Sequence, residues 1–278
     1  MPITLPARKT GKRLMTAALL AVLTAGVAGC GTTDRMSTGS IGRGSGKPVE
    51  LMSSSELRDA TGRLGESYAR NPNDKNIALK YAIVLQMNGD ADQSLAVMRK
   101  LAIAYPKERD VLAAYGKALA ANGQFEPALD AVRRAQTPEY PDWRLVSAEG
   151  AILDQLGQRD EARQLYRKAQ DLKPNEPSIL SNLGMSYLLE GDLRTAETYL
   201  RSASSQPNAD SRVRQNLALA VGLQGRFDEA EKIASQELSP EQAQANVAYL
   251  RQMLSQQNAW SQLKAQDKGK KQPAAAVN

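Results

Sequence analysis

Glycine returns in this chain every 34 residues, at Gly89, Gly123, Gly157, Gly191 and Gly225. Five residues after each stands Ser94, Ala128, Ala162, Ala196 or Ala230, and seven before stands Ala82, Gly116, Gly150, Gly184 or Ala218. Glycine makes up roughly 7% of ordinary proteins, so four further glycines in register is a coincidence of about one in tens of thousands. A fixed period of this length marks a chain that stacks one supersecondary unit on the next, each burying a face that its neighbour completes.

The units are helical. Aromatic residues are only 5% of the chain, while Ala, Leu and Gln are abundant, and this mix favours helix over sheet. A small residue on each of two antiparallel helices lets the backbones approach, and the glycine between them takes a turn conformation that a Cβ would penalise. Pro106 and Pro174, with Pro141, Pro207 and Pro240 nearby, stop the second helix of each pair. The fourth unit reads Leu183-Gly184, Tyr187, Gly191-Asp192, Ala196, Ala203; the third has Gly150, Leu153, Gly157, Ala162, Tyr166, Ala169 and Pro174. This pattern resembles the tetratricopeptide repeat (TPR). The resemblance implies an all-α superhelical solenoid of five 34-residue helix-turn-helix units over 75–242. Ala60, Leu64 and Pro72 fall 34 residues before Ser94, Met98 and Pro106, which predicts an N-terminal half-repeat helix within 51–74. A C-terminal capping helix is expected over 243–263, where Ala245, Val247, Ala248, Leu250 and Leu254 form an amphipathic face. Residues 264–278, rich in Lys, Gln, Pro and Ala, read as a disordered basic tail.

The first thirty residues belong to a different kind of segment. Arg8, Lys9, Lys12 and Arg13 precede an apolar stretch from Leu14 to Val27 that is too short and too rich in Ala and Gly for a membrane span. The stretch ends in Val27-Ala28-Gly29-Cys30, which resembles the lipobox of bacterial lipoproteins. That resemblance implies a signal peptide over 1–29, cleavage before Cys30, and acylation of the Cys30 thiol and the new amino terminus. Several acyl chains anchor firmly where one is marginal, at about 0.8 kcal/mol per buried CH2. By resemblance to lipoprotein sorting, Gly rather than Asp at position 31 implies the outer membrane, with the chain on its periplasmic face. The rest of 30–50 is rich in Gly, Ser and Thr and reads as a flexible tether.

Charge and composition exclude several functions. The formal net charge is +6, but loss of the signal would leave 32 basic against 30 acidic residues. The repeats therefore lack the concentrated basic surface that neutralises phosphates, and no nucleic-acid partner is expected. The chain has no His and one Cys. A Ser-His-Asp triad, a Cys-His pair, the HExxH site of TPR-bearing peptidases and an ordinary zinc site are thus impossible; composition leaves room only for a Glu/Asp or Ser-Lys mechanism, no carboxylate pair stands out, and neither catalysis nor a cofactor is expected.

Binding is expected instead on the first helix of each unit. The TPR resemblance places groove residues at the second, fifth, ninth, twelfth and thirteenth positions of a unit. Carried over, these include Ile83, Met87, Lys117, Asp154, Gln155, Met185, Leu188, Leu189, Arg212, Gln215, Leu219 and Leu223. Met185, Leu188, Leu189, Leu219 and Leu223 form an apolar strip suited to an amphipathic helix or an extended peptide. The carboxylate clamp of some TPR domains is not expected. Asn182 fits it, but Ser147 and Ala151 stand where Lys and Asn are required, and Arg212 and Asn216 are too few donors. In length, tether, five regular units and a Gln-rich final helix through Asn246-Val247-Ala248-Tyr249-Leu250, the chain resembles the TPR lipoproteins of tight-adherence (Flp, type IVb) pilus systems. That resemblance implies a non-enzymatic scaffold whose partners are envelope proteins, the pilus secretin or other assembly components. A general envelope adaptor, for β-barrel assembly or peptidoglycan hydrolases, shares the same plan.

Overall fold

The computed structural model describes residues 52–270 except 138 and 140, with side chains as far as 256. Cys30, the signal and the tether lie outside the described residues. Twelve helices and no strand make up the described part. They are α1 (Ser54–Arg70), α2 (Lys75–Met87), α3 (Ala91–Ala104), α4 (Arg109–Ala121), α5 (Phe125–Ala135), α6 (Trp143–Gln155), α7 (Arg159–Leu172), α8 (Pro177–Glu190), α9 (Leu193–Ser204), α10 (Ser211–Leu223), α11 (Phe227–Ala234) and α12 (Pro240–Lys270). They fall into two compact units, the first ending at Gln158 and the second beginning at Arg159.

Every hairpin turn closes the same way. Gly89, Gly123, Gly157, Gly191 and Gly225 all have positive φ, between 70° and 95°. The amide after each glycine donates back to the carbonyl five residues earlier, as in Asp90 N–H to Leu85 O at 2.9 Å and Asp192 N–H to Tyr187 O at 3.0 Å. This satisfies carbonyls that a helix end leaves open.

The small residues have a second use. A Cβ on Gly116 would lie 2.7 Å from Val132 Cγ2 and 3.2 Å from the Ala128 carbonyl oxygen. One on Gly184 would lie 2.6 Å from Leu200 Cγ and 3.0 Å from the Ala196 carbonyl oxygen. Both approaches run from a first helix to the second helix of its own hairpin. The position seven before the turn is therefore small for packing, and the turn glycine is glycine for its dihedral angle.

In the first unit, α1 packs on α2, and the core runs through Leu85, Met98, Val111, Leu119 and Val132 to Leu145 and Ile152. Ser53 and Glu56 cap α1 reciprocally, through Ser53 N–H to Glu56 Oε2 at 2.6 Å and Glu56 N–H to Ser53 Oγ at 3.3 Å. Tyr68 of α1 meets Tyr81 of α2 with ring centroids 5.4 Å apart. Glu149 of α6 is buried and satisfied by Arg133 Nε at 2.7 Å and Gln136 Nε2 at 2.6 Å, from α5 and its end. Ser94, where the other repeats have Ala, is buried and donates to the Ala82 carbonyl at 2.8 Å.

In the second unit, Ile179 and Leu183 of α8 and Leu200 of α9 are fully buried, and Leu180, Ala203 and Val213 pack together across α8, α9 and α10. Buried Arg163 of α7 is held by Asp160 at 2.6 Å and Glu190 at 2.7 Å, with its guanidinium 4.9 Å over the Tyr187 ring. Tyr187 in turn stacks on Tyr199, 5.6 Å away and nearly parallel.

The C-terminal end differs from the sequence reading. The second helix of the fifth hairpin, α11, has only eight residues, and α12 begins at Pro240 rather than 243. Pro240 is not a stop here but the first residue of a helix, where its missing N–H costs nothing. Ser239 caps it, accepting from Gln242 N–H at 3.3 Å and donating its own N–H to Gln242 Oε1 at 3.2 Å. The helix then continues to Lys270, past the expected boundary at 263 and into the segment read as disordered tail. No proline and no glycine interrupts 241–268, and its Gln, Ala, Leu and Lys are good helix formers.

Candidate functional site

The first helices keep some large apolar side chains partly open. In α2, Tyr81 and Val84 turn inward, and Ile83 and Met87 remain 44% and 41% exposed. They follow Tyr81 by two and six residues, so they sit one turn apart on one face. The same offsets from buried Leu183 in α8 reach Met185 and Leu189. From buried Leu217 in α10 they reach Leu219 and Leu223. All four are half-buried. In α4 and α6 these positions carry Lys117 and Gln155, also half-buried, beside Ala121 and Ala151. The face of the first unit thus passes from apolar on α2 to small and polar on α4 and α6, while α8 and α10 of the second unit are apolar throughout.

Two expected groove residues lie elsewhere. Leu188 is only 3% exposed and Asp154 only 7%. Both occupy the twelfth position of their unit. The equivalent residue of the fifth unit is Gly222, where a Cβ would meet Leu250 of α12 at 2.5 Å. In the fifth unit the twelfth position thus faces α12 rather than solvent. Arg212 keeps to the edge of its helix, bonded through Nη2 to Asp210 at 2.6 Å, and Gln215 is exposed, donating to Ser211 Oγ at 3.0 Å. In the second unit Asn216 spends an amide hydrogen on Ser181 Oγ at 3.1 Å; in the first, Ser147 is buried.

An ion-pair network joins α9 to the α10–α11 hairpin of the second unit. Glu197 of α9 accepts from Arg226, from Arg201 at 2.7 Å and from Gln224 at 2.8 Å, and Glu229 bridges the same two arginines. Arg226 above all, then Gln224 and Arg201, hold the Glu197 carboxyl down at about 2 against the desolvation that would raise it. This network braces α9 against the α10–α11 hairpin and leaves its charges mutually satisfied. Among the described residues no group of three or more Cys, Asp and Glu is placed to hold a metal ion, and no helix is long and apolar enough to cross a membrane.

Among the described side chains, one exposed aromatic lies outside the expected set: Tyr249 of α12, 59% exposed. Its signal in the sequence was concealed because the 34-residue period breaks in α11, so counting from Gly225 does not find its equivalents.

Comparison with known proteins agrees with this architecture. Residues 79–142 and 147–210 match the family model for the tetratricopeptide repeat. Over those residues the repeats match the tetratricopeptide pattern, and the fold is an all-α superhelical repeat fold. Solved structures share the fold at low identity. PilW, described as a widely conserved type IV pilus biogenesis factor, aligns with a TM-score of 0.55 and 19% identity over 72% of this chain and 91% of its own. The APC/C hetero-tetramer Cut9-Hcn1 aligns at 0.56 and 16% over 73% of this chain, which spans only 41% of that one. A thermophilic TPR protein of Thermus thermophilus aligns at 0.51 and 23% over 60% of this chain and 91% of its own. No curated protein is significantly similar in sequence. TPR proteins bind protein partners through the surfaces their stacked helices present, and no enzymatic family is indicated.

Proposed function

We propose that this protein is a non-enzymatic scaffold, anchored to the outer membrane through Cys30 and facing the periplasm, that holds an envelope protein during assembly of a tight-adherence (type IVb) pilus. The observation that carries the binding part is the repeated pair of open apolar side chains on the first helices: Ile83 with Met87, Met185 with Leu189, Leu219 with Leu223. A folded chain has no reason of stability to keep methionines and leucines partly in water at the same offset in three helices; a partner that covers them supplies one. The pilus part rests on the resemblance in tether, repeat number and final helix, and PilW shows the same fold in a pilus biogenesis factor. The secretin of the pilus machinery is the partner this reading favours.

The test is genetic and biochemical together. Deletion of the gene is expected to abolish surface pili and reduce secretin multimers. Complementation with Leu189→Glu plus Leu223→Glu is expected to fail while the purified variant keeps wild-type helicity. Intact pili and normal secretin multimers in the deletion strain would overturn the pilus reading and leave a general envelope adaptor. Full complementation by a folded double variant would overturn the placement of the binding face.

A further inference from the structure

The last helix is more than a lid on the repeats. α12 packs against both α10 and α11, as α10 packs against α8 and α9. Among its described side chains the buried ones are Ala243, Val247 and Leu250. They repeat the spacing of Val213, Leu217 and Ala220 in α10 and of Ile179, Leu183 and Ser186 in α8, all of them buried. Ala243 shares a cluster with Ala218 and Ala234, and Leu250 fills the space that Gly222 leaves. α12 therefore stands as the first helix of a further hairpin, arriving one turn early because α11 is short. Counting two and six residues on from Val247, as from Leu183 and Leu217, reaches Tyr249 and Met253. Tyr249 is 59% exposed and Met253 is half-buried. The offsets thus yield three rows on one unit: Met185 and Leu189, Leu219 and Leu223, Tyr249 and Met253.

The charges around these rows are accounted for within the protein. α8 carries no ionisable side chain of Asp, Glu, Lys or Arg before Glu190, which pairs with Arg163 at 2.7 Å. On α10, Arg212 pairs with Asp210 at 2.6 Å and Arg214 with Glu237. On α12, Arg251 lies on the far side, 4.7 Å over the Phe227 ring, and Glu241 accepts from Ser239 at the amino-terminal end. The strip presents no charge for a partner to match, and a charged partner face would be desolvated there without return. Packed helices stand about 8–10 Å apart, and seven residues of α-helix advance about 10 Å. Three rows at that spacing match apolar residues at i, i+7 and i+14 of a helix laid across them.

We propose that α12 is the third wall of the binding strip, through Tyr249 and Met253, and that the strip takes one uncharged apolar face, about two heptads long, of a partner's amphipathic helix. This deepens the scaffold reading and rests on it. The experiment uses the full-length protein in detergent and a fluorescent synthetic helix of about 16 residues with leucines in that pattern. A peptide of the same composition with the leucines dispersed is the control, and anisotropy is the readout. The patterned peptide is expected to bind, with an affinity that changes less than about twofold over a tenfold rise in salt. Tyr249→Ser plus Met253→Ser is expected to weaken it by about tenfold or more with the melting temperature unchanged, since neither side chain is part of the core. Leu219→Ser plus Leu223→Ser should weaken it as well. If only the α10 variant loses binding, α12 is a cap alone and the scaffold reading survives without this inference. If the patterned peptide fails to bind, binds no better than the dispersed one, or binds only at low salt, the uncharged helical partner is wrong.

Discussion

A methyl group added at Gly184 would sit 2.6 Å from Leu200 Cγ and 3.0 Å from a backbone oxygen, that of Ala196. The leucine can shift, but the carbonyl belongs to α9 and moves only with it. Gly184→Ala is therefore expected to destabilise by about 1–3 kcal/mol. At Gly62, exposed in α1, an added Cβ would meet nothing within 4 Å, and Gly62→Ala is expected to stabilise by about 0.5–1 kcal/mol. Urea denaturation of the two variants reads both signs, and equal effects would show that helix propensity rather than hairpin spacing sets the cost. Glu197 makes a second prediction. Its folded-state value of about 2 lies below the ordinary 4.5, so its contribution to stability is complete above that ordinary value and is lost as pH falls toward 2. Wild type is expected to lose more unfolding free energy over this window than Glu197→Gln, measured by denaturation at each pH; parallel curves would remove the network from the account of stability. At this scale the sequence was informative where a residue repeats. The five turn glycines and their small partners could be placed from period alone, because dihedral angle and close approach permit few residue types. Leu188 could not, because a position count assigns each residue to a face without saying that the next helix covers that face.

Helices are the scale at which the period both succeeded and broke. The regular hairpins up to Leu223 follow it, since each unit must present the same surface to the next. The end of the array is released from that demand, and there α11 shortens, α12 enters a turn early and continues to Lys270. Nothing in the spacing of glycines foretold this, although the Ser239 cap and the absence of breakers over 241–268 are visible in the sequence once the helix is known. The seam between α12 and α10 is tight, with Leu250 in the gap left by Gly222. Leu250→Glu would bury a carboxylate against Gly222, and it is expected to loosen the second unit selectively. Hydrogen exchange should show lost protection in α10, α11 and α12 and unchanged protection in α2 to α5. Loss spread evenly over both units would mean that the end of the array stabilises all of it.

For the whole molecule, the proposed function gives attachment and recognition to separate segments. Attachment is assigned to a single sulfur, at Cys30, and recognition to side chains more than fifty residues away in the chain. Cys30→Ser is accordingly expected to abolish incorporation of labelled fatty acid and to release the protein from membranes, while the purified variant binds partners as before. Membrane fractionation with a peptide-binding assay measures both, and continued tight association with membranes would sink the anchor. The fold was legible in the sequence because one packing solution is written five times. The identity of the partner was not, because the strip is made of ordinary Leu and Met, the same residue types that build the core, and only their exposure separates the two.

The end of a stacked array is by construction a surface that fits another hairpin, and Ala218, Gly222 and Ala234 form such a surface in the second unit. α12 occupies it and turns Gln244, Ala248 and Gln252 outward, all exposed. Without that helix the site would remain open to the hairpins of other molecules, in a head-to-tail contact that does not close on itself. The last helix is thus also what makes the length of the array a property of the gene rather than of concentration: it is the chain terminator of a polymer whose monomers happen to be covalently joined.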